Sequence, residues 1–268
     1  MTPPDSPPPI TSLQNSLVKQ LRKLHQTKGR RTQNRVLLEG TNLATLAVQL
    51  QCVLEHVCVT PTWATQHPDL NQSLREKAQH YRWVSTEVMA RLASTTSPDG
   101  VVLTMVSGTL WPSPPDQPSL ALVLETIQDP GNLGTIIRTA AATSVEGIWY
   151  SSDCVDPESP KVLRASAGYS FQVPQRKSTD LQKRLKRFRL QNLQLVATTP
   201  TATQEFWHLD FRPPTLFLFG SEGQGLSQDV LSLATHQVKI PQAPGVESLN
   251  VAIAVAVMLY EVQRQRQC

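Results

Sequence analysis

Glycine is scarce, at 12 residues in 268 against 21 prolines. This inversion of ordinary usage excludes a collagen-like or glycine-rich linker chain. It also makes each glycine worth locating, since a scarce glycine sits where only glycine fits. Cysteine is sparse too. Cys52, Cys58, Cys154 and Cys268 form no C-x-x-C pair, and no His/Cys cluster has ligand spacing, so no disulfide framework, zinc site or other metal is signalled. Dispersed cysteines fit thiols in a reducing compartment. Long apolar runs are missing: 249–260 contains Asn250 and is too short to cross a bilayer. The proline-rich stretch 1–10 lacks the apolar core of a signal peptide. The expectation is a cytoplasmic protein with no membrane partner.

What is present is globular, at 40% hydrophobic and 17% charged residues. Net charge is only +4, yet its distribution is uneven. Seven of the 25 Lys and Arg lie in 19–35 with no acid among them: Lys19, Arg22, Lys23, Lys28, Arg30, Arg31 and Arg35. Seven more lie in 176–189, where Asp180 is the only acid. A solvated helix face accounts for either run alone. Two separated runs equally suit a polyanion such as RNA, because neutralised phosphates release counterions.

The apolar rhythm predicts two α/β units. Residues 1–11 read as a disordered tail. Leu13, Leu17, Leu21 and Leu24 recur at helical spacing, and strands are expected at 36–39, 57–60, 83–85 and 101–106 with helices between them. The stretch 107–119 holds four prolines and no period, which reads as a semi-rigid linker. The second unit, 120–268, has expected strands at 120–125, 147–150, 193–198, 216–219 and 238–241. Helices are expected at 133–142 and 248–265. Several of these strands are unbroken apolar runs, as in a parallel sheet covered on both faces.

Three segments of the second unit share one anatomy: an apolar strand, a Gly- or Pro-bearing loop, then a helix. In the first, Asp129-Pro130-Gly131-Asn132 is turn chemistry, Asn132 is a candidate helix cap, and Arg138 falls inside the helix. In the second, Gly220, Gly223 and Gly225 follow a buried strand, the usual place for a ligand in an open α/β sheet. Their spacing matches neither the dinucleotide fingerprint nor the Walker loop. In the third, Pro241, Pro244 and Gly245 precede Glu247, Ser248 and Asn250, which open a long apolar helix. Each segment alone is explained by capping and packing.

Taken together they resemble the SpoU (TrmH-type) branch of the SPOUT RNA methyltransferases. The residues that carry the resemblance are Asp129–Gly134 with Arg138-Thr139-Ala140, then Gly220–Leu226, then Ile240-Pro241 with Glu247–Val251. The segments Ser159-Pro160-Lys161 and Arg164–Gly168 look like the family's linking segment. More loosely, Asn15, Val18-Lys19, Leu21 and Val36–Gly40 resemble the substrate-binding domain attached to many such enzymes, which is similar in fold to L30-type ribosomal proteins. The implied architecture is an L30-like RNA-binding domain at 12–106 and a trefoil-knot methyltransferase domain with a parallel sheet at 120–268.

The resemblance implies transfer of a methyl group from S-adenosyl-L-methionine to a ribose 2′-hydroxyl of structured RNA, with rRNA placed ahead of tRNA. The alternative is a non-catalytic RNA-binding or ribosome-assembly factor on the same fold. Cofactor contacts are implied at Gly220, Ile240 and Leu249, with Thr198 and Gly225. Arg138 corresponds to the family's catalytic arginine. A guanidinium stays protonated in proteins, so the expected role is to stabilise developing alkoxide charge, with Asn132 orienting it. Glu222, Ser248 and Asn250 would complete the polar shell. The 19–35 cations would face RNA, and a homodimer through the second domain is implied. Six glycines, at 131, 134, 220, 223, 225 and 245, fall in these three loops.

Overall fold

The computed structural model describes residues 8–108, 111–221 and 223–267. Its contacts divide the chain into two units, Met1–Leu110 with Asp156–Gly168, and Trp111–Val155 with Tyr169–Cys268. Residues 156–168, inside the range expected for the second domain, thus make their contacts in the first.

The first unit is a four-stranded mixed sheet of β1 (Arg35–Glu39), β2 (Leu54–Val59), β3 (Ala78–Trp83) and β4 (Val101–Val106). The order is β1-β4-β2-β3, with β2 and β3 parallel and the other pairs antiparallel. Its helices are α1 (Ser16–Arg22), α2 (Thr27–Gln33), α3 (Thr41–Gln49), α4 (Pro61–Gln66), α5 (Pro68–Lys77) and α6 (Thr86–Leu92). Asn15 caps α1 by accepting from Leu17 N. Val18, Leu21 and Leu24 then pack with Val88, Met89 and Leu92 of α6 over Leu37, Cys58 and Val102 of the sheet. Burial there pushes the Cys58 thiol up to about 12, so it behaves as a small apolar side chain.

Two expectations change in this unit. Residues 1–7 of the expected tail lie outside the described residues, but Ile10 is ordered into the sheet. Ile10 N donates to Trp83 O at 2.9 Å, and Ser85 N donates to Ile10 O at 3.0 Å. The second change is Arg30, which is 2% exposed. Its Nη1 donates to the carbonyls of Leu24 and His25, and its Nη2 to Thr27 Oγ1 and, at 2.6 Å, to Asp156 Oδ2. Asp156 opens the 156–168 excursion, whose helix Pro160–Ala165 is held to β1 by Arg164. That guanidinium donates at 2.9 Å to buried Glu39, which also accepts from Ser94.

In the second unit seven parallel strands follow the order β7-β6-β5-β10-β8-β11-β9. They are β5 (Leu120–Leu124), β6 (Gly147–Tyr150), β7 (Gln175–Lys177), β8 (Gln194–Thr198), β9 (Gln204–Glu205), β10 (Thr215–Phe219) and β11 (His236–Lys239). Helices α7 (Pro130–Ala142), α8 (the Pro160–Ala165 helix of the first unit), α9 (Leu181–Leu190), α10 (Gln228–Leu231) and α11 (Val251–Gln267) complete the list. Every residue of β5, β6 and β10 is buried, as the unbroken apolar runs predict for a sheet covered on both faces. The loops after β5, β8, β10 and β11 leave from the carboxyl ends of adjacent parallel strands, where open α/β sheets bind ligands.

Candidate active site

The loop after β5 is built by turn chemistry. Thr126 sits at φ 57°, in the left-handed region that a β-branched residue rarely adopts. Two hydrogen bonds hold it there, Thr126 N to Ser151 Oγ at 2.9 Å and Thr126 Oγ1 to Asp153 Oδ2 at 2.7 Å. Bonds from Ser151 and Thr126 lower the pKa of the Asp153 carboxyl below its ordinary range. Asp129, not Asn132, caps α7 by accepting from Asn132 N at 2.8 Å. Aspartate is a preferred cap at this position, which leaves the Asn132 side chain for another task. Its oxygen accepts from Asn250 Nδ2 at 2.9 Å. Asn250 in turn caps α11, its Oδ1 accepting from Ala252 N and Ile253 N. Arg138 is exposed on α7.

The loop after β10 closes on itself. Gly225 N donates to Ser221 O at 2.9 Å, and Gly225 takes φ +69°. A Cβ on Gly220 would lie 2.0 Å from the Gly225 carbonyl carbon and oxygen, so glycine is required there by close backbone approach. The far end of the loop is tied down by Glu125, whose carboxylate accepts from both the N–H and the hydroxyl of Ser227 at 2.7 Å.

The β10 loop, with the loops after β8 and β11, surrounds a cavity of about 460 Å³. All five residues implied as cofactor contacts line it: Thr198, Gly220, Gly225, Ile240 and Leu249. Glu247 and Ser248 line it as well. Thr198 Oγ1 and Gln242 Oε1 are buried there without a hydrogen-bond partner among the described residues. A buried polar atom left unpaired is costly. Two of them in the wall of one cavity are what a ligand with its own polar groups would satisfy. Phe219, Leu226, Leu231 and Ala254 add apolar wall. The lining therefore fits S-adenosylmethionine, which combines a polar amino-acid and ribose portion with a flat adenine.

A second cavity of about 400 Å³ lies against the same loop, sharing Ser221, Gly223, Gln224 and Val251 with the first. Asn132, Asp129 and Gln128 line it. Glu222 lies outside the described residues. Arg138 lines neither cavity. Glu125, Gln128 and Gln242 were not among the residues expected at the site, and Asp129 was expected only as part of the turn. Only Glu125 carried a signal, as a carboxylate ending an otherwise apolar strand.

In the first unit, Lys19, Arg22 and Lys23 are exposed and line an open groove of about 700 Å³ with His25 and Arg91. Lys28 and Arg31 are exposed too. Two cations leave this set. Arg30 is spent inside the unit, and Arg35 is half-buried on Glu55, which accepts from its Nη2 at 2.8 Å. That guanidinium lowers the Glu55 carboxyl below its usual range. Arg91, distant in sequence from the basic run, takes a place in the groove.

Comparison with known proteins agrees with this geometry. The model of the SpoU rRNA methylase family matches residues 119–260, and that of the MRM3-like substrate-binding domain matches 15–103. An uncharacterised tRNA/rRNA methyltransferase of Synechocystis is 58% identical over 257 residues, covering 96% of this chain and 94% of that protein. The crystal structure of an RNA 2′-O ribose methyltransferase superposes with TM-score 0.83 at 33% identity, covering 97% of this chain and 100% of the other. The AdoMet-bound rRNA methyltransferase of Sinorhizobium meliloti gives TM-score 0.84 at 29% identity, covering 96% and 97%.

Proposed function

The chain belongs to the SpoU rRNA methylase family, and from that membership we propose that it methylates a ribose 2′-hydroxyl of structured RNA, ribosomal RNA ahead of transfer RNA, with S-adenosylmethionine as donor. The observation that carries the reading is the meeting of chain-distant loops around one cavity holding two orphaned buried acceptors, Thr198 Oγ1 and Gln242 Oε1.

When bound, the cofactor supplies a methyl group on a sulfonium, which leaves as a neutral thioether and needs no acid. The protein's residues then have to align the acceptor hydroxyl and favour its developing negative charge. Thr198 and Gln242 hydrogen-bond the polar portion of the cofactor, while the backbone at Gly220, Ile240 and Leu249 closes on it without bulk. The acceptor nucleotide occupies the neighbouring cavity, where Asn132, held by Asn250, orients the ribose. The family resemblance assigns to Arg138 the positive charge that favours the 2′-oxygen and its adjacent phosphate, and to Glu222, Ser248 and Asn250 the rest of the polar shell. Lys19, Arg22, Lys23, Lys28 and Arg31 of the first unit, joined by Arg91, hold the RNA backbone.

Two further parts of the reading concern assembly and place. Ile253 and Tyr260 are 51% and 58% exposed on α11, one stripe of a helix that packs on α7. An uncovered apolar stripe beside the helix of Arg138 suits a second copy of the chain, so the working form is a homodimer. Its RNA substrate puts the protein in the cytoplasm.

The test maps 2′-O-methyl sites in total RNA from cells with and without the gene. The expected result is one site lost on deletion and restored in vitro by purified protein with S-adenosylmethionine. No lost site, in a strain shown to express the protein, would overturn the reading in favour of a non-catalytic RNA-binding factor.

A further inference from the structure

The basic run 176–189 is not used by the site described above. The structure divides it into two parts with different explanations. Arg176 and Lys177 lie on β7, the edge strand of the sheet. Charged side chains on an open edge discourage pairing with another chain, and that accounts for them.

The cations of α9 have no such account. The helix buries Leu181, Leu185 and Phe188 and exposes Lys183, Lys186, Arg187 and Arg189. It carries no acid in its first turn. Lys183 stands one turn from both Lys186 and Arg187, Arg184 one turn from Arg187, and Lys186 one turn from Arg189. Like charges at these spacings repel and weaken a helix, and no glutamate or aspartate on α9 offsets them. Asp116 reaches only Arg187, at 3.2 Å, and Arg184, at 3.8 Å. Arg184 also lies over the Phe188 ring. Asp180 is occupied as the helix cap, accepting from Lys183 N at 2.8 Å. A helix face on which Lys183, Lys186 and Arg189 have no acidic partner among the described residues is suited to an external polyanion.

Its place in the fold gives the polyanion a direction. Gln182 Nε2 donates to Asp229 Oδ2 at 2.8 Å, fastening the start of α9 to α10. Leu231 of α10 lines the cofactor cavity. A backbone that follows α9 toward its first turn therefore arrives beside the wall of that cavity.

We infer that the outer face of α9 is a second RNA-backbone docking surface, on the catalytic unit itself, formed by Lys183, Lys186, Arg187 and Arg189. The ligand is the phosphate backbone of an RNA stem, and the inference rests on the methyltransferase reading for the identity of that RNA. Contacts of this kind position a substrate without reading its sequence.

The test uses the full chain and a fluorescein-labelled RNA hairpin with a stem of about 16 base pairs. Reversing the three α9 cations that have no ion partner among the described residues (Lys183→Glu, Lys186→Glu and Arg189→Glu together) is expected to raise Kd about tenfold. It should flatten the slope of log Kd against log salt by about 2 to 3. The neutral Gln triple variant is expected to fall between it and the wild type. S-adenosylmethionine affinity should be unchanged in both, which shows that the unit is folded. In turnover, KM for RNA should rise while kcat holds. Wild-type Kd and salt slope in the reversed variant would overturn the inference. So would an equal loss from Arg176→Glu with Lys177→Glu, which would make the effect one of net charge. Because hairpin binding is read without turnover, a wild-type protein that methylates no RNA would strike the catalytic reading alone.

Discussion

Asn250 Nδ2 donates to Asn132 Oδ1 at 2.9 Å, joining the first turns of two helices 118 residues apart in the chain. One side chain thereby does two separable things. Its oxygen caps α11, and its nitrogen sets the direction of Asn132.

Asn250→Asp separates them. A carboxylate keeps both acceptor bonds at the helix start and is favoured by the helix dipole, so Tm should stay within about 2 °C of wild type. It has no N–H to offer, and Asn132 must turn its own nitrogen toward the carboxylate. Turnover should fall about 10–100-fold with cofactor affinity retained. Asn250→Ala should lose turnover and, in addition, about 1 kcal/mol of stability for the missing cap. Thermal denaturation and single-turnover kinetics on the same preparations distinguish the two.

The glycines of the β10 loop are not equivalent. Gly220→Ala places a methyl group 2.0 Å from the Gly225 backbone, so the loop must move. Calorimetry should show S-adenosylmethionine affinity falling at least tenfold. At Gly223, which lines both cavities, an added Cβ meets no protein atom within 4 Å, so Gly223→Ala should leave the loop in place and weaken cofactor binding less than Gly220→Ala does. Equal loss at both positions would mean that general stiffening, and not the close approach, is what matters.

Arg138 lines neither cavity, so its removal should spare the cofactor. Arg138→Ala is expected to lower kcat about 10²–10³-fold, the size found for loss of one preorganised stabiliser of transition-state charge, with unchanged cofactor Kd. Arg138→Lys should recover little, because an ammonium lacks the planar fork that grips two oxygens at once. A wild-type rate in Arg138→Ala would remove the residue from the mechanism.

Arg30 and Arg31 are neighbours with opposite fates. Arg30→Ala strands Asp156 and two carbonyls, and urea denaturation should show a loss of about 3 kcal/mol. Arg31→Ala should stay within about 0.5 kcal/mol of wild type and weaken RNA binding instead. If Arg30→Ala, measured where it is still folded, lost RNA affinity as Arg31→Ala does, the assignment of Arg30 to the interior would fail.

These contrasts mark how far the residues alone could be read. The buried parallel strands were legible because both faces are covered, which leaves uninterrupted runs such as Leu120–Leu124. The site loops were legible through the family resemblance that the three segments carry together, since each segment alone is explained by capping and packing. Arg30 was not. Charge in a sequence records which residues are cationic, and nothing in TKGRRTQ marks the one whose partner lies 126 positions away. Ile10 was hidden for a related reason, since one apolar residue among prolines has no period and is ordered only by a sheet edge waiting beside it. The Asp129 cap was misread by local ambiguity, because two good capping residues stand three apart and only geometry chooses between them.

The excursion 156–168 has a consequence for how this chain is made. The first unit is not complete when its own 110 residues have been synthesised, because Asp156 and Arg164 are still to come. At about 5–20 residues per second, the ribosome needs several more seconds to deliver them. Through that interval Arg30 and Glu39 are charges on a nascent chain without their late-arriving partners. The order of translation therefore makes the opening strand of the second unit available before the first has closed, and the first closes while the stretch from Tyr169 onward is still to be made.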